Sequence, residues 1–377
     1  MKIAEIRTYI LEAPLSQPFG WSFQKTSTRS TCIVEITTES GLVGWGECFG
    51  PSRINAAIIK AFEPHLIGHD ALATEAVWQL IYNQFRDQGQ KGVTICALSG
   101  IDIALWDIKG KAFNAPIHQV MGGPLRTRVE AYATGTYRRD EGDPFEYVIE
   151  EVRGYIDEGF SGVKLKIGRD VDEDAELIRA IRAAIGRDRR LMLDANHGYD
   201  AVEAIDLGRR VADQTISWFE EPVAPEDRAS YREVRRGQPI PVAGGECEFT
   251  RWGFHDILTG RAMDIIQPDT CAAGGISECK KIADMATVFG IRYIPHVWGT
   301  GIGLSAALQL LAVIPHTPPR YTPREPLLEF DRSEHPFRQA VITEPLEHVD
   351  GWVTIPQGPG LGIEVDRKAL AEFEEKA

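Results

Sequence analysis

The chain has 377 residues, of which 43% are hydrophobic and 25% charged, and a formal net charge of −14 at pH 7. This length predicts either two domains or one barrel with an added elaboration. The acidic balance argues against binding to nucleic acid or to an anionic membrane surface. No apolar run approaches the roughly 18 residues that a membrane span needs. Because Glu5 and Arg7 interrupt the first apolar stretch, we also expect no signal peptide.

The cysteines are too dispersed to form a disulfide framework. No pair has Cys-x-x-Cys spacing, and the six residues are Cys32, Cys48, Cys96, Cys247, Cys271 and Cys279. We therefore expect reduced thiols and a cytoplasmic location.

The first part of the chain, residues 1–125, is typical of an α+β domain in which strands precede helices. Residues 2–12 predict a strand, after which Pro14 and Pro18 favour an irregular loop as far as Arg29. Two apolar runs joined at residues 39–41 indicate a hairpin. Apolar residues at helical spacing then predict three helices, at Ala56–Ile67, Ala71–Phe85 and Ala97–Lys111.

Residues 126–330 alternate between strand and helix patterns, which is typical of parallel βαβ units. Eight strands is the count of a β/α barrel. We expect residues 331–377 to fold back onto the first domain. The eight predicted strands are Val129–Thr134, Val163–Ile167, Leu191–Ala195, Ile216–Phe219, Pro241–Gly245, Asp264–Gln267, Arg292–Pro295 and Pro326–Phe330.

Two lysines lie on one face of the second predicted barrel strand. Apolar residues alternate with Lys164 and Lys166, so the two side chains point the same way, about 7 Å apart along the strand. Repulsion between ammonium groups this close favours deprotonation of one of them, and a lysine with a lowered pKa can act as a base. Alone, this pattern more often marks a solvated strand face, but the residues that follow favour chemistry.

Three carboxylates end successive strands at equal intervals. The same interval of 26 residues separates Asp194 from Glu220 and Glu220 from Glu246. Functional residues of a barrel lie at the carboxyl ends of its strands, so we expect the three at one rim. Each alone could cap the following helix, but three converging acids repel one another unless a cation lies between them. Oxygen ligands with room for water favour Mg²⁺, with Mn²⁺ as the second choice.

The remaining strand ends supply a second candidate base. His296 lies five strands beyond Lys166, so it would approach a substrate from the opposite side, with Asp269 holding its other ring nitrogen. Glu329 could donate a hydrogen bond to a developing oxyanion if it is protonated. A divalent cation would stabilise the ene-diolate that forms when the carbon next to a carboxylate loses its proton. Two bases on opposite faces permit racemisation, epimerisation or elimination.

Residues beside these groups are candidate substrate contacts. Asn196 shares a face with Asp194, and Trp298 is equally compatible with a pocket wall and with the core. The glycine-rich residues 299–303 are expected to form a βα turn that brings backbone close to the substrate. His197 would face away from Asp194 and is left unassigned.

Together, these residues resemble the mandelate racemase subgroup of the enolase superfamily. The resemblance rests on Lys164, Lys166, Asp194, Glu220, Glu246, Asp269, His296 and Glu329, with the Ala97–Lys111 helix as a further signature. It implies a modified TIM barrel, (β/α)7β, with an α+β capping domain formed by both termini, whose loop at residues 21–29 selects the substrate. It also implies Mg²⁺, an ene-diolate mechanism, a small-molecule substrate and a closed homo-oligomer such as an octamer.

Two longer motifs narrow the expected substrate. Residues 194–199 (Asp-Ala-Asn-His-Gly-Tyr) and 295–301 (Pro-His-Val-Trp-Gly-Thr-Gly) resemble members that open a galactaro-lactone ring by β-elimination to a 3-deoxy-2-keto-hexarate. A dehydratase of aldonic or aldaric acids, or a racemase or epimerase, would use the same residues, and these alternatives stay open. A barrel hydrolase would need a His-x-His on the first barrel strand, which residues 129–134 lack. A non-catalytic binding module would be expected to have lost at least one of these residues.

Overall fold

The computed structural model describes residues 1–140, 142–321 and 326–375. Its first strands form one antiparallel sheet in chain order, and helices follow them, as the sequence predicts. A Cβ on Gly46 would collide with the carbonyl group of Gly100, so glycine lets the third helix pack closely on the third strand. The elements are β1 (Ile3–Gly20), β2 (Lys25–Thr38), β3 (Val43–Cys48), α1 (Ser52–Leu66), α2 (Thr74–Phe85), α3 (Val93–Ala112) and α4 (Ile117–Val120).

The β1–β2 hairpin replaces the irregular loop that the sequence analysis expected after residue 12. β1 continues to Gly20 and pairs with β2 from Lys25 onward. The register shifts between Pro14 and Phe19, and an interrupted ladder tolerates proline, which has no backbone N–H to donate. The hairpin end also contacts the barrel, because Gly20 and Arg138 exchange two backbone hydrogen bonds of 2.9 and 2.8 Å.

All eight predicted barrel strands form, and neighbouring pairs are parallel. The strands are β4 (Arg128–Thr134), β5 (Gly162–Lys166), β6 (Arg190–Asp194), β7 (Ile216–Glu220), β8 (Val242–Gly244), β9 (Ile265–Ile266), β10 (Arg292–Tyr293) and β11 (Leu328–Asp331). The helices that follow the first seven strands are α5 (Pro144–Asp157), α6 (Val171–Ile185), α7 (Ala201–Arg210), α8 (Arg228–Gly237), α9 (Thr250–Thr259), α10 (Gly275–Phe289) and α11 (Gly301–Leu311). A 3₁₀ turn at Ala212–Gln214 follows α7, and β11 pairs with β4. This order is the (β/α)7β pattern of the predicted modified barrel.

The C-terminal segment contacts both parts of the molecule. Its elements are β12 (His348–Val349), β13 (Trp352–Thr354) and α12 (Arg367–Phe373). β13 pairs antiparallel with β4 of the barrel, whereas the backbone N–H of Glu375, after α12, donates to Ile10 of the hairpin at 2.8 Å. The predicted domain limits, 1–125, 126–330 and 331–377, stay predictions. Within the residues that the structure describes, no helix has the length and apolar character needed to cross a membrane.

A polar contact joins α3 to α10. The backbone N–H of Ser277 donates to Asp102 Oδ2 at 2.9 Å, and Trp106 Nε1 donates to Ser277 Oγ at 2.7 Å. Gly275 has a φ of +81° and faces Asp102, with which a Cβ would collide, so this turn requires glycine. Burial raises the pKa of Asp102 to about 7. The junction between the two parts of the molecule therefore contains a buried carboxyl group that titrates near neutral pH.

Candidate active site

The strand register brings the central lysine and two carboxylates to one level of the barrel. Lys166 pairs with Asp194 across β5 and β6, and Asp194 pairs with Glu220 across β6 and β7. Adjacent strands lie about 4.8 Å apart, so side chains in register on the inner face meet each other. The alternating Val163 and Leu165 belong to the buried cluster beneath the surrounding helices. The period-2 pattern thus turns the lysines inward.

The carboxylates of Asp194, Glu220 and Glu246 converge. Each offers an oxygen atom, and these atoms all lie within 4.8 Å of one another. Asp194 and Glu220 are fully buried, and Glu246 follows β8 in a partly exposed loop. An all-oxygen donor set that is open on one side suits a hard divalent cation that keeps some of its water ligands. The residues present therefore fit a metal ion.

Lys164 is a buried counter-ion beneath the three carboxylates. Its Nζ contacts Glu220, lies 2.6 Å from Glu329 Oε1 and lies 3.4 Å from Asp194 Oδ2. Burial alone would lower the pKa of Lys164, but the charges of Glu220 and Glu329 raise it well above its ordinary value. Lys164 therefore carries a positive charge that offsets the acidic cluster.

Lys166 points at Asp194 and at the amide of Asn196. Its Nζ lies 2.6 Å from Asp194 Oδ2 and 2.9 Å from Asn196 Oδ1. Burial alone would lower the pKa of Lys166, but the Asp194 carboxylate outweighs this effect, and the net shift is upward. The spacing of the two lysines predicted a lowered pKa for Lys166, from repulsion by Lys164. That repulsion is present but is smaller than the attraction of the nearer carboxylate.

His296 and Asp269 form a hydrogen-bonded pair. The His296 Nδ1 lies 2.7 Å from Asp269 Oδ2, and Asp269 Oδ1 accepts a hydrogen bond from the Cys271 N–H at 2.6 Å. The His296 Nε2 lies 3.8 Å from Glu246 Oε2. Burial alone would lower the pKa of His296, but Glu246 and Asp269 raise it to about 10. The imidazole is thus oriented by one carboxylate and faces another.

Glu329 differs from the protonated donor that the sequence analysis considered. It accepts hydrogen bonds from Thr134 Oγ1 at 2.8 Å and from the Val297 N–H at 3.1 Å. Burial alone would raise the pKa of Glu329, but the charges of Lys164 and His296 lower it below its ordinary value. Glu329 is therefore an ionised acceptor that holds Lys164, and an ionised carboxylate cannot donate a hydrogen bond to an oxyanion.

A cavity of about 440 Å³ opens on the His296 side of the site, with walls from both parts of the molecule. Trp21 and Arg29 of the hairpin line it together with Trp298 and His335. The guanidinium of Arg29 lies 4.1 Å from the centre of the Trp298 ring. Among the described residues, the buried Nε1 of Trp298 and Nδ1 of His335 have no hydrogen-bond partner. Two residues of the cavity wall therefore each hold a buried polar atom without a partner.

A side chain of the capping sheet binds the backbone of residues 299–303, a contact that the sequence did not predict. Glu47 of β3 accepts hydrogen bonds from the Thr300 N–H, the Thr300 hydroxyl and the Gly303 N–H, at 3.0, 2.7 and 2.9 Å. An anion at a helix N-terminus is favourable because the first N–H groups have no partner within the helix. Glu47 thus fixes α11 to the cap and occupies these amides. Gly299 and Gly303 also line the cavity, so close backbone approach of this turn to a substrate stays a prediction.

Glu221 is a buried residue that the sequence analysis missed. Its Oε2 lies 3.1 Å from His197 Nε2 and accepts a hydrogen bond of 3.4 Å from Asn196 Nδ2. Burial and the neighbouring Glu246 raise the pKa of Glu221 well above its ordinary value. The sequence did contain a signal for this site. Glu221 directly follows Glu220 at the end of a buried strand, where a second acid is unusual unless it has a partner.

Comparison with protein families identifies the fold. Residues 147–369 match the enolase C-terminal domain-like family. Residues 5–122 match the N-terminal domain of mandelate racemase and muconate lactonizing enzyme. The chain belongs to the enolase superfamily. Within it, the two matches together assign the chain to the mandelate racemase and muconate lactonizing enzyme family, whose capping domain and barrel agree with the architecture described above.

Three relatives are similar over most of their length. The D-galactarolactone cycloisomerase of Agrobacterium fabrum is 53% identical over 373 residues, which cover 99% of each chain. The arabinonate dehydratase of Saccharolobus solfataricus is 35% identical and covers 91% of this chain and 90% of its own. The crystal structure of the 3,6-anhydro-D-galactonate cycloisomerase from Zobellia galactanivorans is 40% identical, covers 100% of both chains and superposes with a TM-score of 0.90. These homologues are cycloisomerases and a dehydratase. The chain described here is likewise an enzyme of the enolase superfamily.

Proposed function

We propose that this enzyme opens the ring of D-galactaro-lactone by β-elimination and forms a 3-deoxy-2-keto-hexarate. The 53% identity to a D-galactarolactone cycloisomerase over 99% of both chains carries this substrate assignment. The chemistry is abstraction of the proton next to a carboxylate, through an ene-diolate. It is supported by two candidate bases beside the convergent carboxylates, because Lys166 contacts Asp194 and His296 faces Glu246.

Asp194, Glu220 and Glu246 are the proposed ligands of the metal ion, with Mg²⁺ as the first choice and Mn²⁺ as the second. When bound, the ion supplies positive charge to the substrate carboxylate and to the ene-diolate. The chain supplies a second source of positive charge, because Lys164 is buried against Glu220 and Glu329. Glu329 and Lys164 are thus positioning residues in this proposal, and they maintain the charge balance of the site.

Lys166 and His296 are the proposed catalytic residues. β-Elimination needs one group to remove the proton next to the carboxylate and another to protonate the departing ring oxygen. The two side chains divide these tasks. Asn196 positions Lys166 through the 2.9 Å contact to its ammonium, and Asp269 positions His296 through the 2.7 Å contact to its Nδ1. Holding Nδ1 as a donor leaves Nε2 free to exchange a proton with the substrate.

The cavity beside His296 supports a polar substrate. Trp298 Nε1 is a donor without a partner among the described residues, and His335 Nδ1 is a second unpaired polar atom. Leaving such buried atoms unpaired costs about 1–3 kcal/mol each, so a ligand that pairs with them gains affinity. We propose that they contact hydroxyl or carboxylate groups of the substrate that are distant from the reacting carbon.

Proton NMR of the purified enzyme with Mg²⁺ and D-galactaro-1,4-lactone in D₂O tests this function, beside an EDTA-treated control. The expected result is the signals of a deoxy-keto acid in the metal-loaded sample only. Arabinonate in a parallel sample tests the dehydratase alternative, which the second relative favours. Turnover of arabinonate without turnover of the lactone would replace the cycloisomerase by a dehydratase. Loss of one proton signal with no new product would indicate a racemase or epimerase.

A further inference from the structure

We propose that His197, Glu221 and Cys247 form a second metal site, specific for a thiophilic divalent cation such as Zn²⁺. Each residue offers one ligand atom, and the three atoms lie within 4.8 Å of one another. The His197 Nε2 lies 3.1 Å from Glu221 Oε2 and 3.7 Å from Cys247 Sγ. None of the three belongs to the carboxylate cluster of the proposed active site.

These separations match a tetrahedral zinc ion. Zinc binds histidine nitrogen and carboxylate oxygen at about 2.0–2.2 Å and cysteine sulfur at about 2.3 Å. Tetrahedral angles then put nitrogen and oxygen about 3.4 Å apart and nitrogen and sulfur about 3.6 Å apart. The observed 3.1 and 3.7 Å differ from these values by a few tenths of an ångström. His197 can therefore share an ion with Glu221 or with Cys247 with little backbone movement, and the Glu221 and Cys247 ligand atoms lie within 4.8 Å of each other. Three protein ligands leave the fourth position for water.

The surroundings of His197 and Glu221 favour this occupancy. His197 Nδ1 lies 3.3 Å from the carbonyl oxygen of Val223, and donation of Nδ1–H to that oxygen leaves the Nε2 lone pair facing the other two ligands. Glu221 Oε1 is buried and has no partner among the described residues. Both residues also have left-handed backbone, with φ of 67° and 43°, a conformation that non-glycine residues adopt at an energetic cost.

The two metal sites arise at the carboxyl ends of the same three strands, β6, β7 and β8. Glu220 and Glu246 belong to the carboxylate cluster, whereas the next residues, Glu221 and Cys247, contribute to the second site. The two donor sets differ in chemistry. Three carboxylates suit Mg²⁺ or Mn²⁺, but a set of nitrogen, oxygen and thiolate sulfur suits zinc. Cys247 is exposed, so an ion can reach the second site directly from solvent.

The second site also communicates with the proposed base. Asn196 donates from Nδ2 to Glu221 Oε2 at 3.4 Å, and its Oδ1 lies 2.9 Å from Lys166 Nζ. A cation bound to Glu221 Oε2 would occupy that oxygen, and the Asn196 amide would lose its hydrogen-bond acceptor. Only this connection rests on the proposed function, since metal binding itself needs no substrate.

Cobalt titration of the full chain tests the site, with Mg²⁺ in large excess to saturate the carboxylate cluster. Co²⁺ is a spectroscopic substitute for zinc, and a thiolate ligand gives it a charge-transfer band in the near ultraviolet. We expect one equivalent of Co²⁺ to saturate this band and one equivalent of Zn²⁺ to remove it. Cys247→Ser and His197→Gln should each abolish the band, with folding checked by circular dichroism.

His255→Gln is the matched control, because His255 is exposed on α9 and lies outside the cluster. It should retain the band. Absence of the band in the unaltered chain, or its persistence in Cys247→Ser, would overturn the proposal. The titration contains no substrate, so this result is independent of whether the enzyme opens galactaro-lactone.

Discussion

The ammonium of Lys166 lies 2.6 Å from the Oδ2 of Asp194, so the candidate base and a candidate metal ligand are partners of each other. The charge of Asp194 raises the pKa of Lys166. Positive charge added to that carboxylate would weaken the attraction and move the lysine pKa downward. The strength of the base is therefore linked to the occupancy of the carboxylate cluster.

Glu220→Gln should weaken metal binding, because it replaces a charged ligand by a neutral amide. Loss of an outer-sphere partner commonly costs 10–100-fold in metal affinity, so we expect at least about a 100-fold loss for a direct ligand. Electron paramagnetic resonance of free Mn²⁺ measures this affinity. Glu226→Gln, an exposed change in the same loop, is the control and should bind normally. Unchanged binding and turnover in Glu220→Gln would remove this residue from the metal site.

Asp269→Asn should move the titration of His296 to lower pH. Burial alone would lower the pKa of His296, and Glu246 and Asp269 together raise it to about 10, so removing one anion lets it fall. The limb of the kcat/KM profile that belongs to His296 should shift to lower pH, whether His296 acts as acid or base, and kcat should fall about 100-fold or more. A pH profile of the variant that superposes on the original would exclude Asp269 as the positioning group.

Trp298→Phe removes one hydrogen-bond donor from the cavity wall and keeps an aromatic ring beneath Arg29. A neutral hydrogen bond contributes about 0.5–1.5 kcal/mol, so KM should rise about 2–13-fold while kcat changes little. Steady-state kinetics separate the two effects. Trp252→Phe, at an exposed position on α9, should leave both constants unchanged. A fall in kcat alone would argue that Trp298 acts on the reacting groups and not on substrate binding.

Asp102→Asn should alter how stability depends on pH. Burial raises the pKa of Asp102 from 3.8 to about 7, so the folded state holds a proton that the unfolded state releases at lower pH. The resulting stabilisation is complete below about pH 4 and is lost as the pH rises through 7. Between pH 5 and 8 the unfolding free energy of Asp102→Asn should therefore improve relative to the original chain, by about 3 kcal/mol, because about two pKa units of the shift lie in this range.

Urea unfolding at the two pH values measures this difference. Asp256→Asn, an exposed residue on α9, should show the pH dependence of the original chain. An equal response of Asp102→Asn and the original chain would mean that Asp102 does not titrate in this range.

The strand pattern was sufficient to predict the barrel because strand formation and side-chain alternation are local. The period-2 pattern around Lys164 and Lys166 and the regular spacing of Asp194, Glu220 and Glu246 predicted which end of the barrel carries charge. The pKa shifts could not be predicted in the same way. The ionised state of Glu329 depends on the charges of Lys164 and His296, which are both far from it in sequence.

Contacts between the two parts of the molecule could also not be predicted from the sequence. Glu47 and Thr300 are separated by 253 residues, and nothing in either motif indicates the other. The β1–β2 hairpin was missed because Pro14 and Pro18 normally oppose strand structure, and only the register shift accommodates them. Glu221 was overlooked because alternation turns it away from the cluster that Glu220 joins.

Lys166→Met tests the proposed base most directly, since it removes the ammonium and keeps much of the side-chain volume. Turnover of D-galactaro-1,4-lactone and Mn²⁺ binding should be measured on the same preparation, with Lys280→Met, at a half-buried position on α10 away from the site, as control. We expect Lys166→Met to lose at least about 1,000-fold in kcat, with the metal still bound and the control unaffected. Intact turnover at full metal occupancy would contradict this assignment of the base.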